Sequence, residues 1–114
     1  MICLLVDPSE FVCAHVSGRL TQEGIEVKVA RTGAEAVRLA AAFSPNTILI
    51  DVLLPDADGM DVVENLRESH PSARIVVTSQ SLAKAQVARL IQKGLKEIWL
   101  KPYRLDSLAE KLKV

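Results

Sequence analysis

Four side chains in this sequence could together handle a phosphoryl group: the carboxylates of Asp7 and Asp51, the hydroxyl of Thr78 and the ammonium of Lys101. Each ends or directly follows a short apolar run. Two carboxylates brought close together repel each other unless a cation lies between them. A hard divalent cation such as Mg2+ prefers such oxygens and keeps several waters. With the repulsion met, one aspartate can act as a covalent nucleophile. A phosphoryl group in transfer spreads its charge over its oxygens, so catalysis is mostly positioning and charge stabilisation. Lys101 would neutralise one oxygen, Thr78 would hydrogen-bond another, and the cation would hold the third. Taken singly, these residues have ordinary explanations. An Asp after a strand is commonly a cap or turn residue, and Asp7-Pro8-Ser9 reads that way. Thr78 could be a plain strand residue and Lys101 a solvated charge. Asp51 fits the ordinary reading poorly, because a loop separates it from the next helix. What argues for one site is their joint placement.

That placement comes from the elements around them. Apolar runs at Ile2 to Val6, Ile25 to Val29, Thr47 to Ile50, Arg74 to Thr78 and Glu97 to Leu100 alternate with longer amphipathic stretches. Most of the runs are rich in Ile, Val and Leu with little alternation, as strands covered on both faces are. The stretches between them read as helices. Residues 9–22 carry Val12, Val16 and Leu20 at helical spacing. Residues 33–43 follow a Thr32/Glu35 capping box and carry Ala36, Val37, Ala40 and Phe43. Residues 59–69 carry Met60, Val63 and Leu66 behind an Asp58 cap, and 82–93 run from a Ser81 cap to a stop at Gly94. A last helix starts near Asp106 and carries Leu108 and Leu112. Strands alternating with helices imply parallel pairing and right-handed crossovers, an α/β fold. In such sheets ligands bind outside the carboxyl ends of the strands. Asp7, Asp51, Thr78 and Lys101 all fall on that edge.

Composition narrows the function further. The 114 residues suit one domain, 1–114, and 49% of them are apolar, enough for a core. Lys plus Arg equals Asp plus Glu at 14 each, so the basic excess of a nucleic-acid-binding surface is missing. No apolar run approaches a membrane span, and the start Met1 to Asp7 turns acidic too soon for a signal peptide. Cys3 and Cys13 lack metal-type spacing and read as buried hydrophobes in a reducing cytoplasm. His15 and His70 lie away from the expected edge and read as helix or surface residues. No G-x-G-x-x-G marks a dinucleotide site. Asp7-Pro8-Ser9-Glu10 lacks the glycine of a flavin-phosphate loop, and Leu53 stands where a haloacid-dehalogenase-type phosphatase would want a second Asp.

Five motifs in order resemble the receiver domains of two-component response regulators, over essentially the whole chain. They are Cys3-Leu4-Leu5-Val6-Asp7, Ile48-Leu49-Ile50-Asp51, Leu54-Pro55-Asp56-Ala57-Asp58-Gly59, Ile75-Val76-Val77-Thr78-Ser79 and Leu100-Lys101-Pro102-Tyr103. Thr78 follows Asp51 by 27 residues and Lys101 follows it by 50, as in that family. The resemblance implies a flavodoxin-like five-stranded parallel sheet in the order 2-1-3-4-5 with helices on both faces. It implies a non-enzyme signalling domain that promotes its own phosphorylation and dephosphorylation. Asp51 would be phosphorylated by a sensor histidine kinase, a phosphotransfer protein or a small phosphodonor, with Thr78 and Lys101 sensing the phosphoryl group. It also implies a cis peptide before Pro102, Mg2+ held by Asp7, Asp51 and the backbone carbonyl of Leu53, and output to a downstream protein through the fourth helix, fifth strand and fifth helix.

The sequence departs from the family pattern in three places. Pro8 stands where a second acid usually ligates the metal, which removes up to about 4 kcal/mol of gross Coulomb attraction at an effective dielectric of 20. Glu10, one turn further on, is the candidate substitute. Ile98 stands where an aromatic usually follows the switch hydroxyl, and Trp99, one residue on, should point to the opposite face and pack. Leu53 and Gln80 line the expected path of hydrolytic water, and Leu53 cannot position one, so slow loss of the phosphoryl group is expected. Pro8 and Ile98 also support an alternative: a phosphorylation-independent pseudo-receiver acting as a protein-interaction module.

Overall fold

In a computed structural model, which describes residues 1–80, 84–95, 97–101 and 103–113, the apolar runs form a single parallel sheet. Its strands are β1 (Ile2–Val6), β2 (Glu26–Ala30), β3 (Thr47–Asp51), β4 (Arg74–Ser79) and β5 (Glu97–Leu100), in the order β2-β1-β3-β4-β5. The helices between them are α1 (Glu10–Gln22), α2 (Gly33–Phe43), α3 (Gly59–Ser69) and α4 (Lys84–Gln92). A 3-10 turn at Leu105–Ser107 leads into α5 (Leu108–Lys113). This is the flavodoxin-like architecture expected from the sequence.

Strand alternation divides the core between the two faces of the sheet. Leu4, Val6, Ile48, Ile50, Ile75 and Val77 face one side, where Ala36, Ala40, Val63, Leu66 and Leu90 cover them. Cys3, Leu5, Leu49 and Val76 face the other, against Val16, Leu20, Leu108 and Leu112. The central strands are therefore apolar almost throughout, which explains their unbroken runs in the sequence.

Boundaries shift slightly from expectation. Ser9 is the N-cap of α1 rather than its first residue, its Oγ accepting the Val12 amide at 3.2 Å. Strand β2 starts at Glu26, because the amide of Ile25 closes the end of α1 on the Leu20 carbonyl. The apolar face of α2 is narrower than its spacing suggests: Val37 and Phe43 are exposed, with Lys28 Nζ lying 4.2 Å over the Phe43 ring. Gly94 stops α4 as expected, with φ +81° and its amide on the Ile91 carbonyl. The expected cap Ser81, and Pro102 with its implied cis peptide, lie outside the described residues.

Candidate functional site

Register places the acids. Val6 pairs with Ile50, so Asp7 and Asp51 come next, side by side, at the carboxyl ends of β1 and β3. Asp51 pairs in turn with Thr78 across β3 and β4. Asp7, Asp51 and Thr78 thus form one row across three neighbouring strands, spaced about 4.8 Å apart as adjacent strands are. Each stands two residues beyond a core residue on the α1/α5 side (Leu5, Leu49 and Val76), so strand alternation continues that face. All three are buried.

Lys101 closes the row. Its amide donates to the Ser79 carbonyl at 2.8 Å, and its Nζ donates to both Asp7 Oδ2 and Asp51 Oδ2. Burial opposes the lysine charge, but the hydrogen bonds to Asp51 and Asp7 outweigh it and hold its pKa above the ordinary value. Both carboxylates are also held from behind. Asp7 Oδ1 accepts the Ser9 amide at 2.9 Å, and Asp51 Oδ1 accepts the Leu53 amide at 2.6 Å. Each acid therefore spends one oxygen on its own turn and offers the other to the shared cation.

The loop after Asp51 is built to keep that geometry. Asp58 caps α3, accepting the Met60 amide at 2.9 Å. Gly59 must be glycine, since a Cβ there would lie 1.9 Å from the Val52 carbonyl oxygen. Asp56 accepts the Gly33 and Ala34 amides at 2.7 and 3.0 Å, joining this loop to the start of α2. Those two backbone hydrogen bonds hold the Asp56 carboxyl below its usual pKa.

The four residues singled out by sequence do converge. Glu10 does not join them: its carboxylate is 87% exposed and lies 4.0 Å from Arg31 Nη1. As the first residue of α1 it projects outward, away from the pair, and among the described residues no group of three or more acidic, His or Cys side chains is placed to hold a metal. Ile98 pairs with Val77 and packs on the α2/α3/α4 side of the sheet. Trp99 lies on the opposite face as expected, edge-on to Tyr103 at 6.1 Å.

The remaining donors still suit a hard cation. Two carboxylate oxygens already converge on one positively charged nitrogen, which shows that the pocket can share a single cation between them. The carboxylates of Asp7 and Asp51, completed by water, match the preference of Mg2+ for a few protein oxygens.

Beside Lys101 a cleft of about 490 Å³ opens between α1 and the segment after β5, lined by Phe11, His15, Tyr103 and Leu105. Phe11 is 70% exposed and stacks on His15, ring centroids 4.0 Å apart. Burial first, then the charges of Asp7 and Asp51, push the Tyr103 hydroxyl well above its usual pKa. Sequence reasoning missed Arg31 and the tie made by Asp56. The available signal for Arg31 was its position, two residues past a predicted strand that ends at Val29 and directly before the capping Thr32.

The response regulator receiver domain family model matches residues 3–113. The chemotaxis protein CheY of Bacillus subtilis is 30% identical over 108 residues, covering 94% of this chain and 90% of that protein. The transcriptional regulatory protein TrcR of Mycobacterium tuberculosis is 30% identical over 111 residues, covering 96% of this chain and 43% of that protein. A CheY-like receiver domain protein from Methanospirillum hungatei JF-1 shares the fold with a TM-score of 0.93 over 98% of this chain and 90% of that one, at 24% identity.

Proposed function

This chain belongs to the response regulator receiver domain family, a family of two-component signalling domains, and we propose that Asp51 is its phosphoacceptor, with Thr78 and Lys101 reading the phosphoryl group. One observation carries this reading: Asp7, Asp51, Thr78 and Lys101 meet on one sheet edge, with a single ammonium bridging two buried carboxylates. An Asp51 carboxylate oxygen forms a bond to phosphorus as the donor's P–N or P–O bond breaks, and the leaving group keeps that electron pair. Asp7 and Asp51 with the Leu53 carbonyl would hold Mg2+, which when bound would supply positive charge to the phosphoryl oxygens. Lys101 is already in place to neutralise one oxygen. Thr78, across from Asp51, would bond another.

Phosphorylation adds about one to two negative charges, and it draws Lys101 and Thr78 toward Asp51. This biases a surface between two states. The partners of this reading are a sensor histidine kinase or phosphotransfer protein as donor and a downstream protein on the α4-β5-α5 face. Exposed Ile91 on α4 and Leu100 at the end of β5 support that face. A cytoplasmic setting fits two buried free thiols, and no helix among the described residues is long and apolar enough to cross a membrane. The phosphorylation-independent alternative rests on Pro8 and Ile98 and leaves the convergence of the other four residues without a purpose.

The test is incubation with acetyl phosphate and Mg2+ followed by intact mass, with Asp51→Ala alongside. A single phosphoryl adduct, absent from the variant, is the expected result. No adduct on folded protein, beside a working control, would turn the assignment to the interaction module.

A further inference from the structure

We propose that Arg31 is a positioning residue for the acid site, acting on Asp7 through the Pro8–Ser9 peptide. The inference rests on the reading of Asp7 and Asp51 as the phosphoryl site. Arg31 directly follows β2, whose last carbonyl, that of Ala30, accepts the Asp7 amide at 3.0 Å. Its backbone is fixed at the start of α2 by a variant of the expected capping box, in which Glu35 takes the amide before the N-cap: the Arg31 amide donates to Glu35 Oε1 at 3.0 Å, while the Glu35 amide donates to Thr32 Oγ1 at 3.1 Å. From there its side chain crosses to the turn after β1. Nε and Nη2 donate to the Pro8 carbonyl at 3.3 and 3.1 Å.

The other end of that same peptide is the Ser9 amide, which donates to Asp7 Oδ1 at 2.9 Å. In a trans peptide the C=O and N–H lie in one rigid plane and point in opposite directions. The plane is thus gripped between a guanidinium and a carboxylate, and hydrogen bonds in such a chain polarise and strengthen one another. The Pro8 ring fixes its own φ, leaving rotation about ψ as the main freedom of this peptide. Arg31 removes that freedom. With Oδ1 held by Ser9, Asp7 directs Oδ2 to Lys101.

Asp51 reaches the same end by packing. The Leu53 amide holds its Oδ1, and the carbonyl at the other end of that peptide, Val52, is pressed against Gly59. Between Pro8 and α2 a guanidinium takes the place of such a steric wall. Glu10 does not set the arginine, since it is almost fully exposed and 4.0 Å away.

The test compares wild-type protein with Arg31→Ala and Arg31→Lys. Two quantities are read: the rate of acetyl phosphate labelling at Asp51, and the Ser9 amide proton shift without phosphodonor. Arg31→Ala should slow labelling by about threefold to tenfold, the net worth of one or two hydrogen bonds, and move the Ser9 amide upfield. Arg31→Lys, which keeps the charge but loses the fork, should fall between. Labelling of folded Arg31→Ala at the wild-type rate, or an unmoved Ser9 amide, overturns the proposal. Absence of labelling in the wild type would instead count against Asp51 as phosphoacceptor, and the amide shift still reads Arg31.

Discussion

Asp7 and Asp51 are held by the same device: each gives Oδ1 to the amide two residues ahead and Oδ2 to Lys101 Nζ. Two buried carboxylates therefore share one ammonium. Removing the ammonium leaves both uncompensated, so Lys101→Met should destabilise the fold by about 3–5 kcal/mol. Asp51→Asn leaves a balanced Asp7–Lys101 pair and should stabilise it by about 1 kcal/mol. Urea unfolding of the two variants checks both signs, and a stabilised Lys101→Met would show that the carboxylates do not need their cation.

Metal affinity should respond to position 8 and not to position 10. Restoring a carboxylate with Pro8→Asp should tighten Mg2+ binding by about tenfold or more, a fraction of the gross attraction of one nearby charge. Glu10→Gln should leave it unchanged, because that carboxylate is solvated and turned to Arg31. Calorimetric Mg2+ titration of both variants decides. A weaker site in Glu10→Gln would mean that the surface carboxylate swings inward when the ion arrives.

Stability should fall at alkaline pH. Burial pushes the Cys3 thiol up to about 12, and burial, then the charge of Asp7, pushes Cys13 up to about 11. In the unfolded chain both ionise near 9.0. Above that pH the unfolded state has lost protons that the folded state keeps, so stability is full below pH 9 and declines as pH rises toward these values. Each thiol contributes a slope of up to about 1.4 kcal/mol per pH unit. The raised pKa of Lys101 acts in the same direction at higher pH. Chemical unfolding between pH 8 and 11 should show the decline, flattened in Cys3→Ala/Cys13→Ala; an identical slope in that variant would assign it to other groups.

Gly59→Ala should be disproportionately costly for a single methyl. Its Cβ would overlap the Val52 carbonyl, which is backbone and cannot swing aside. Overpacking of this kind should cost about 3 kcal/mol and loosen the Leu53 amide on Asp51, seen as faster hydrogen exchange at Leu53. Unchanged exchange would separate the glycine from the acid site.

Phosphorylated Asp51 should persist, because Leu53, 64% exposed where water would approach, has no group to orient it. Leu53→Asn should shorten the lifetime severalfold. A wild-type lifetime of seconds in Mg2+ buffer would refute the idea that this side chain limits hydrolysis.

The sequence alone determined the order of elements, the parallel sheet and the four residues, Asp7, Asp51, Thr78 and Lys101, that meet at one edge of it. A strand buried on both faces must be apolar throughout, so β1, β3 and β4 stand out as runs, and the first polar residues after them mark the edge where a ligand would bind. Ile98 and Trp99 could be assigned to opposite faces for the same reason, alternation. Tertiary structure decided how the edge is held. That Glu10 faces Arg31, that Arg31 reaches Pro8, and that Asp56 joins the start of α2 all depend on which crossover lies beside which loop. Hydrophobic periodicity fixes what is buried, but polar contacts between loops far apart in sequence leave no periodic trace. Their partners are set by the lateral order of strands, which places β2 beside β1 and β3 on its other side.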